Sequence, residues 1–401
     1  ITVHAADNTR DPMIPCGKQS HLYHSFGCHY TRTTGIWQTV WYEWVPEIYV
    51  QSMHIIPHFD EDSVEIELFT NEEGKFLPYK VYIFDRGHLI SEMSIEDGHK
   101  MILPIPNKKV WSPVSPFLYE VTITYGEDCI KSYFGMRHFS VEKDKDGIPR
   151  LCLNHVPYFQ NGILDQGYWP ESLLTPISDE AMIYDIQEAK NQGFNMIRKH
   201  CKIEPMRWYY HCDRLGMLVW QDMINGGVEY NPFKTTYIPT VIRKLQQLKD
   251  SHHVFHGRAN AKGRKEWKKE CIETIEQLYN CTSICTWVLF NEGWGQFDAE
   301  ENTLRVGMNY VSAKVICNTA NIYIPLQSNA KVMLATADEI NYALGLKDIR
   351  NPLICGYLEM YEGTKNCEKV TLPVNLNSKF IIGPEGAHLN ISGISGLASK
   401  T

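Results

Sequence analysis

The sequence predicts a multidomain β plus α/β protein: an antiparallel β-sandwich region, a parallel-sheet β/α barrel that stays incomplete, and a β-rich tail. Three observations predict it. Residues 1–140 carry period-two or continuous apolar runs bounded by Gly, Pro and Asp. Near residue 150 the texture changes to alternating strands and amphipathic helices, a pattern that needs a parallel sheet. After residue 299, short strand-like runs with Asn-rich turns replace the long amphipathic helices of a barrel.

The elements follow in order. "ITVHAADNT" at the start reads as a strand already in progress, so the chain is expected to lack its natural beginning. Its want of a basic and apolar leader therefore decides nothing about targeting. "GIWQTVWYEWV" (35–45), "DSVEIELF" (62–69), "KVYIFDRGHLISEMSI" and "LYEVTITYG" are strands, and their spacing suits one or two antiparallel sandwiches. The carboxylates of Asp60, Glu61 and Asp62 are a solvated turn. Ser178 followed by Asp179 and Glu180 caps the helix "AMIYDIQEAKNQG", which ends at Gly193. "FNMIRKH" (194–200) is the next strand. Pro205, at a first helical position, opens "MRWYYHCDRLG", and "MLVWQDM" (217–223) follows as a strand. "RKEWKKECIETIEQLY" (264–279) aligns Trp267, Cys271, Ile275 and Leu278 on one helical face, and "ICTWVLFNE" is the strand after it.

Composition narrows the function classes. A formal charge of −8 argues against a nucleic-acid footprint over the whole chain. No apolar run reaches the roughly 18–20 residues of a membrane span. The 12 cysteines are scattered, with no CxxC pair and no zinc-ligand spacing around Cys281 and Cys285, so free thiols in a reducing, cytoplasmic compartment are expected. Aromatic residues at 12% suit stacking platforms for sugars, and equally well the filling of β-sandwich cores.

The chemistry-bearing residues sit where apolar strands end: Asp165 ("GILDQGYWP"), Arg198 and His200 ("FNMIRKH"), Asp222 ("VWQDM"), and Asn291-Glu292 ("WVLFNE"). In a β/α barrel the C-terminal strand ends converge on one face, and catalytic groups come from several of them. Any one of these residues can instead be a structural ion pair, Asp222 and His200 above all. Arg198 has the fork geometry to bind a substrate hydroxyl or to orient a carboxylate. Trp294, just past Glu292, either stacks on a sugar ring or caps the strand end. No metal-ligand motif and no cofactor motif is present, and oligomeric state cannot be read.

Together "TTGIWQTVWYE" (33–43), "VWSPVSPFLYEV" (110–121), "YFGMRHFSV" (133–141), "LDQGYWP", "GFNMIRKH", "RWYYHCDRLGMLVWQD" and "WVLFNEGWGQFD" resemble glycoside hydrolase family 2. That family includes β-galactosidases, β-glucuronidases and β-mannosidases, and the motifs run in its order from residue 1 to about 299. The resemblance implies the last part of a jelly-roll sugar-binding-type domain (1–49), an immunoglobulin-like β-sandwich (50–140) and the first half of a catalytic (β/α)8-type, or TIM, barrel (141–299). It implies Glu292 as general acid/base and Asn291 as a hydrogen-bonding partner of the sugar 2-hydroxyl. Arg198 matches the Arg that lies beside the family's nucleophile. A retaining glycosidase needs a second carboxyl group about 5–5.5 Å from the first, and no metal.

The resemblance stops there. The family's nucleophilic Glu ends a later strand, and residues 300–401 show no such β/α unit; Glu359 ("CGYLEMYEG") and Glu385 ("IIGPEGAHLN") are weak candidates. "HLNISGISGLASKT" (388–401) resembles a degenerate phosphate-binding loop of HerA-like ATPases, with Ser399 where a Gly would precede Lys400. A plain Gly/Ser loop reads equally well. The leading expectation is a glycosidase that cleaves a terminal β-linked sugar, impaired in this chain. The alternatives are a non-catalytic carbohydrate-binding protein, or a chimeric or truncated chain whose tail is a nucleotide-binding ATPase fragment.

Overall fold

A computed structural model describes residues 2–8, 10–11, 13–72, 77–224, 231, 233, 237, 241, 254 and 256–291, with strand segments at 297–298, 303–306, 309–312, 322–325, 359–360, 380–383 and 386–388. Seven strands form the first body: β1 (Val50–His58), β2 (Ser63–Thr70), β3 (Tyr79–Asp85), β4 (His88–Ile95), β5 (Lys100–Pro104), β6 (Tyr119–Tyr125) and β7 (Asp128–Phe134). They make two antiparallel sheets, ordered β1-β2-β5 and β4-β3-β6-β7. Alternation decides the core. Val64, Ile66 and Leu68 of β2 point inward against Val81 and Ile83 of β3 and Val121 and Ile123 of β6. Each such side chain contributes about 1.5–3 kcal/mol by leaving water. The β3–β4 turn is Arg86-Gly87, both at positive φ, which is the twist a two-residue hairpin needs.

The stretch 35–45 does not form the expected strand. No residue of it is in a ladder, and Val40, Trp41, Tyr42 and Trp44 are exposed, Trp44 to 94%. Alternating apolar residues make a strand only beside a second strand that takes their backbone hydrogen bonds, and none of the described residues offers one. The described residues among 2–49 carry only isolated bridges, Gln19 with Tyr30 and Phe26 with His29. The stretch is anchored instead by side chains: Gln38 Nε2 donates to Ile203 O at 3.0 Å, and Trp37 O accepts from Thr175 Oγ1 at 2.7 Å.

A small antiparallel sheet, β8 (Phe139–Lys143), β9 (Pro149–Leu153) and β10 (Val156–Pro157), leads into a parallel one. That sheet takes β11 (Gly162–Asp165), β12 (Met196–Lys199), β13 (Leu218–Asp222) and β14 (Ile284–Phe290) in sequence order. The connections carry α1 (Asp179–Asn191), α2 (Met206–Leu215) and α3 (Ala261–Gln277). On the far side of β14 lies the segment Ile322–Pro325, and it pairs antiparallel. A fifth parallel strand does not stand at that position.

The helices begin and end for local reasons. Ser178 Oγ accepts from Ala181 N at the start of α1, and Met182, Ile186 and Ala189 face the core. Pro205 is the cap of α2, not its first helical residue, because its ψ of 143° is extended. Gly216 ends α2 at φ 73°, and a Cβ there would stand 2.6 Å from Pro113 O, so only glycine fits. α3 begins three residues ahead of the expected start, capped by Asn260; Trp267, Cys271 and Leu278 are buried and Ile275 partly so. Cys152, Cys201, Cys212, Cys271, Cys281 and Cys285 are buried free thiols. No helix among the described residues is long and apolar enough to cross a membrane. Residues 389–401, with the loop expected to bind phosphate, lie outside the described residues.

Asp213 joins the sandwich to the parallel sheet. Its buried carboxylate accepts from Ser283 N (2.7 Å), Thr282 N (3.1 Å) and the Tyr133 hydroxyl (2.9 Å), while its backbone oxygen accepts from Trp111 Nε1. Burial raises its pKa against the pull of those donors. Asp213→Ala leaves three buried donors unpaired at about 1–3 kcal/mol each. The expected loss is roughly 3 kcal/mol or more, read as a lower urea midpoint at unchanged m-value.

Candidate active site

The site is built by neighbouring strands ending at the same edge. Arg198 in β12 extends its fork toward β13, where Nε and Nη2 each meet a different oxygen of Asp222 at 2.8 Å. His200, just beyond β12, brings Nδ1 to 2.6 Å from Asp222 Oδ2. Asn291, just beyond β14, accepts from Arg198 Nη2 at 3.3 Å through Oδ1. Four of the residues singled out by sequence, Arg198, His200, Asp222 and Asn291, are thus brought together.

The protonation states follow from the surroundings. Burial works to raise the Asp222 pKa, but Arg198 and His200 outweigh it and hold the carboxyl below its usual range. Burial lowers the His200 pKa, Asp222 opposes, and Arg198 and Lys18 push the same way as burial. An ionised carboxylate only accepts, so the Nδ1–H of a neutral His200 donates to Asp222 and Nε2 is left as the acceptor.

Asp165 goes elsewhere. In register with Lys199 on the neighbouring strand, its Oδ2 lies 2.5 Å from Lys199 Nζ, whose ammonium stands over the Trp208 ring of α2. That is the helix-covered side of the sheet, opposite to Arg198. Lys199 also donates to Glu204 Oε1 at 2.8 Å, and Lys202 Nζ reaches the same oxygen at 3.0 Å. Burial disfavours the Lys199 charge, yet Asp165 and Glu204 raise its pKa above the ordinary lysine value; Lys202, with a single shared carboxylate, is lowered by burial to about 8. Sequence reasoning passed over Lys199, Lys202 and Glu204. The available signal was "RKHCKIEP", in which cations recur beyond an apolar strand.

Glu292 and Trp294 lie outside the described residues, as does Glu385; Glu359 belongs to the segment Glu359–Met360, of whose side chains nothing is described. Gly17 packs against the chain just beyond β12: a Cβ on it would stand 2.5 Å from Cys201 O. Among the described residues, two groups gather metal-type donors within 4.8 Å: His200, Cys201 and Asp222, and His138, Glu142 and His155. In the first, the Arg198 guanidinium already engages both Asp222 oxygens. In the second, His155 binds Glu142 and Asp60 through its two nitrogens, and its ring stacks on His138 with planes 21° apart. Near-parallel stacked rings do not aim their lone pairs at one point.

Comparison with known proteins agrees with the resemblance read from the motifs. Residues 48–137 match the family described as glycosyl hydrolases family 2. A β-galactosidase of Lactococcus lactis is 26% identical over 240 residues, 55% of this chain and 23% of that protein. A β-galactosidase of Psychromonas ingrahamii is 33% identical over 125 residues, 30% of this chain and 12% of that protein. A putative β-glucuronidase of Formosa agariphila is 23% identical over 308 residues, 71% of this chain and 31% of that protein. The chain therefore spans less than a third of the length of these relatives. Among solved structures, a β-glucuronidase from Ruminococcus gnavus in complex with D-glucuronic acid superposes with a TM-score of 0.48 at 20% identity, covering 62% of this chain and 38% of that one.

Acid should destabilise the molecule in part through this cluster. His200 and Asp222 are both shifted down, so the unfolded chain binds protons that the folded one refuses. Stability falls as pH drops below about 6.5 through His200, and further below about 4 through Asp222. Asp222→Asn removes the lower part of that slope and, by breaking a buried pair, costs about 3–5 kcal/mol at neutral pH. Urea midpoints between pH 7 and pH 3.5 read both effects.

Proposed function

We propose that this chain, similar to family 2 glycosyl hydrolases, carries the acid/base half of a retaining glycosidase acting on a terminal β-linked sugar. The carrying observation is the Arg198–Asp222–His200–Asn291 cluster at one end of a parallel sheet. It fixes the residue immediately before Glu292 against a buried guanidinium. In this reading Glu292 protonates the leaving oxygen and then activates water, roles that need a carboxyl group whose pKa an apolar setting raises. The run Trp287-Val288-Leu289-Phe290 ahead of it is buried. Asn291, turned by Arg198, meets the sugar 2-hydroxyl, and Asp222 holds the fork of Arg198 in place for the nucleophile's side of the site.

The finer architecture belongs to the same reading. Two sheets ordered β1-β2-β5 and β4-β3-β6-β7 support an immunoglobulin-like sandwich, and four sequential parallel strands with helical crossovers support the first half of a TIM barrel. Residues 1–49 are taken as the end of a jelly-roll domain on the motif "TTGIWQTVWYE" alone. In this reading the second carboxylate is unassigned, and little or no turnover by this chain is expected.

Aryl β-D-galactosides and aryl β-D-glucuronides, offered in parallel, test the proposal. Saturable binding that Arg198→Ala weakens, with little or no hydrolysis, is expected. Efficient hydrolysis abolished by Glu292→Gln would place a nucleophile in this chain and overturn the impairment. Absence of binding to either sugar would overturn the glycosidase reading itself.

A further inference from the structure

We propose that Lys202 is a positioning residue: its ammonium ties both ends of loop 166–174 to the parallel sheet and so holds that loop as a wall of the sugar site. The last clause rests on the glycosidase reading, whereas the tie itself does not.

Lys202 is buried just beyond β12, and its Nζ donates to Gly167 O, to Leu174 O (2.7 Å) and to Glu204 Oε1 (3.0 Å). An ammonium has three N–H donors, and here each has an acceptor. Two of the acceptors are backbone carbonyls at the beginning and the end of the same loop. Between them the loop is internally closed, because Trp169 and Leu173 exchange backbone hydrogen bonds of 2.8 and 2.9 Å. It therefore moves as one body, and the question becomes what fastens that body to the sheet.

The loop does not favour its position unaided. Gln166 Oε1 and Trp169 Nε1 are buried without hydrogen-bond partners, and Leu173 sits at φ 58°. Such costs persist only where surrounding contacts over-determine the conformation. On its outer side Tyr168 stacks on Tyr30 at 4.0 Å, so the N-terminal segment rests on the loop. On its inner side the fit against the tie is close: a Cβ on Gly167 would stand 2.3 Å from Glu204 Oε1 and 2.7 Å from Lys202 Cδ. Lys199 anchors Glu204 independently, so the carboxylate is a fixed post against which Lys202 is held.

The loop leaves β11 at the edge that presents the candidate site, where His200 N donates to Asp165 O at 2.8 Å. A shift of the loop is thus passed through Asp165 to the strand end that carries His200. Lys202 is enclosed and fully bonded, which suits holding the loop and not attacking a ligand.

Hydrogen exchange of the full chain, followed by mass spectrometry, tests the tie. In Lys202→Met the peptide 166–175 should exchange about tenfold faster or more, while α1 is unchanged. Lys202→Arg, which keeps charge and donors, should recover part of that protection. Binding of phenyl β-D-galactoside and phenyl β-D-glucuronide should weaken about tenfold in Lys202→Met. Wild-type exchange of the loop in Lys202→Met overturns the tie, and so does equal loosening in the Arg variant. A loosened loop with unchanged sugar affinity overturns the wall. Should Lys202→Met also speed exchange in α1, Gly167→Ala reads the same contact from the loop's side, and wild-type loop exchange there overturns the tie. A wild-type chain that binds neither sugar defeats the glycosidase reading, and the exchange experiment still decides the tie.

Discussion

Asp222 has no exposed side-chain surface, and Arg198 and His200 are arranged around it, with Asn291 held through Arg198. Removing a carboxylate from water costs several kcal/mol even after relaxation. That cost is offset only by partners with good geometry, here the two-pronged Arg198 and the Nδ1–H of His200. The arrangement works in both directions. Asp222 needs the guanidinium, and the guanidinium, once held by two bonds, has one orientation left, which sets where Asn291 is met. A site whose members fix one another in this way keeps its geometry without a ligand. Such preorganisation is what electrostatic catalysis requires.

Much of this was legible in the sequence because strands and helices have different periods. The helical face of α3 and the Ser178 cap of α1 follow from local rules, and they hold. Polar residues ending apolar strands include Arg198, His200, Asp222 and Asn291, and the fold brings these four together. The stretch 35–45 failed for the complementary reason. Its alternation is real, yet a strand is a property of two segments, and no local pattern reports whether the second is there. The two-residue strand geometry that places Asp165 also lay beyond the sequence argument. That a residue ends a strand says which edge it occupies, not which face it turns to.

Face is where the chemistry divides. Arg198 and Lys199 are neighbours in β12, and because side chains alternate across a strand they serve opposite sides of the sheet. Arg198 joins Asp222 and Asn291, whereas Lys199 joins Asp165 and Glu204 beneath Trp208. One dipeptide thus supplies the cation for a candidate active site and the cation for a structural network. A slip of one residue in β12 would turn Arg198 away from Asp222 and Lys199 away from Asp165. The two ion clusters therefore act with the hydrophobic pattern to fix register.

Lys199 and Lys202 show how burial can be put to different ends. Both are enclosed, and both touch Glu204 Oε1. Lys199 has a second carboxylate, Asp165, and its pKa rises; the stability it lends is complete below the ordinary lysine value near 10.4 and is lost as pH rises from there through the raised value. Lys202 has instead two backbone carbonyls, which are weaker compensation for a desolvated charge, and its pKa falls to about 8. Between about 8 and the ordinary lysine value near 10.4, the folded chain has released a proton that the unfolded chain keeps, so stability there rises with pH. Below that window the charged Lys202 lowers stability. An apolar side chain of the same length would avoid that penalty but could not hold two carbonyls of one loop. The cost falls on the residue that sets the loop's position, which is where a group kept for geometry and not for stability would carry it.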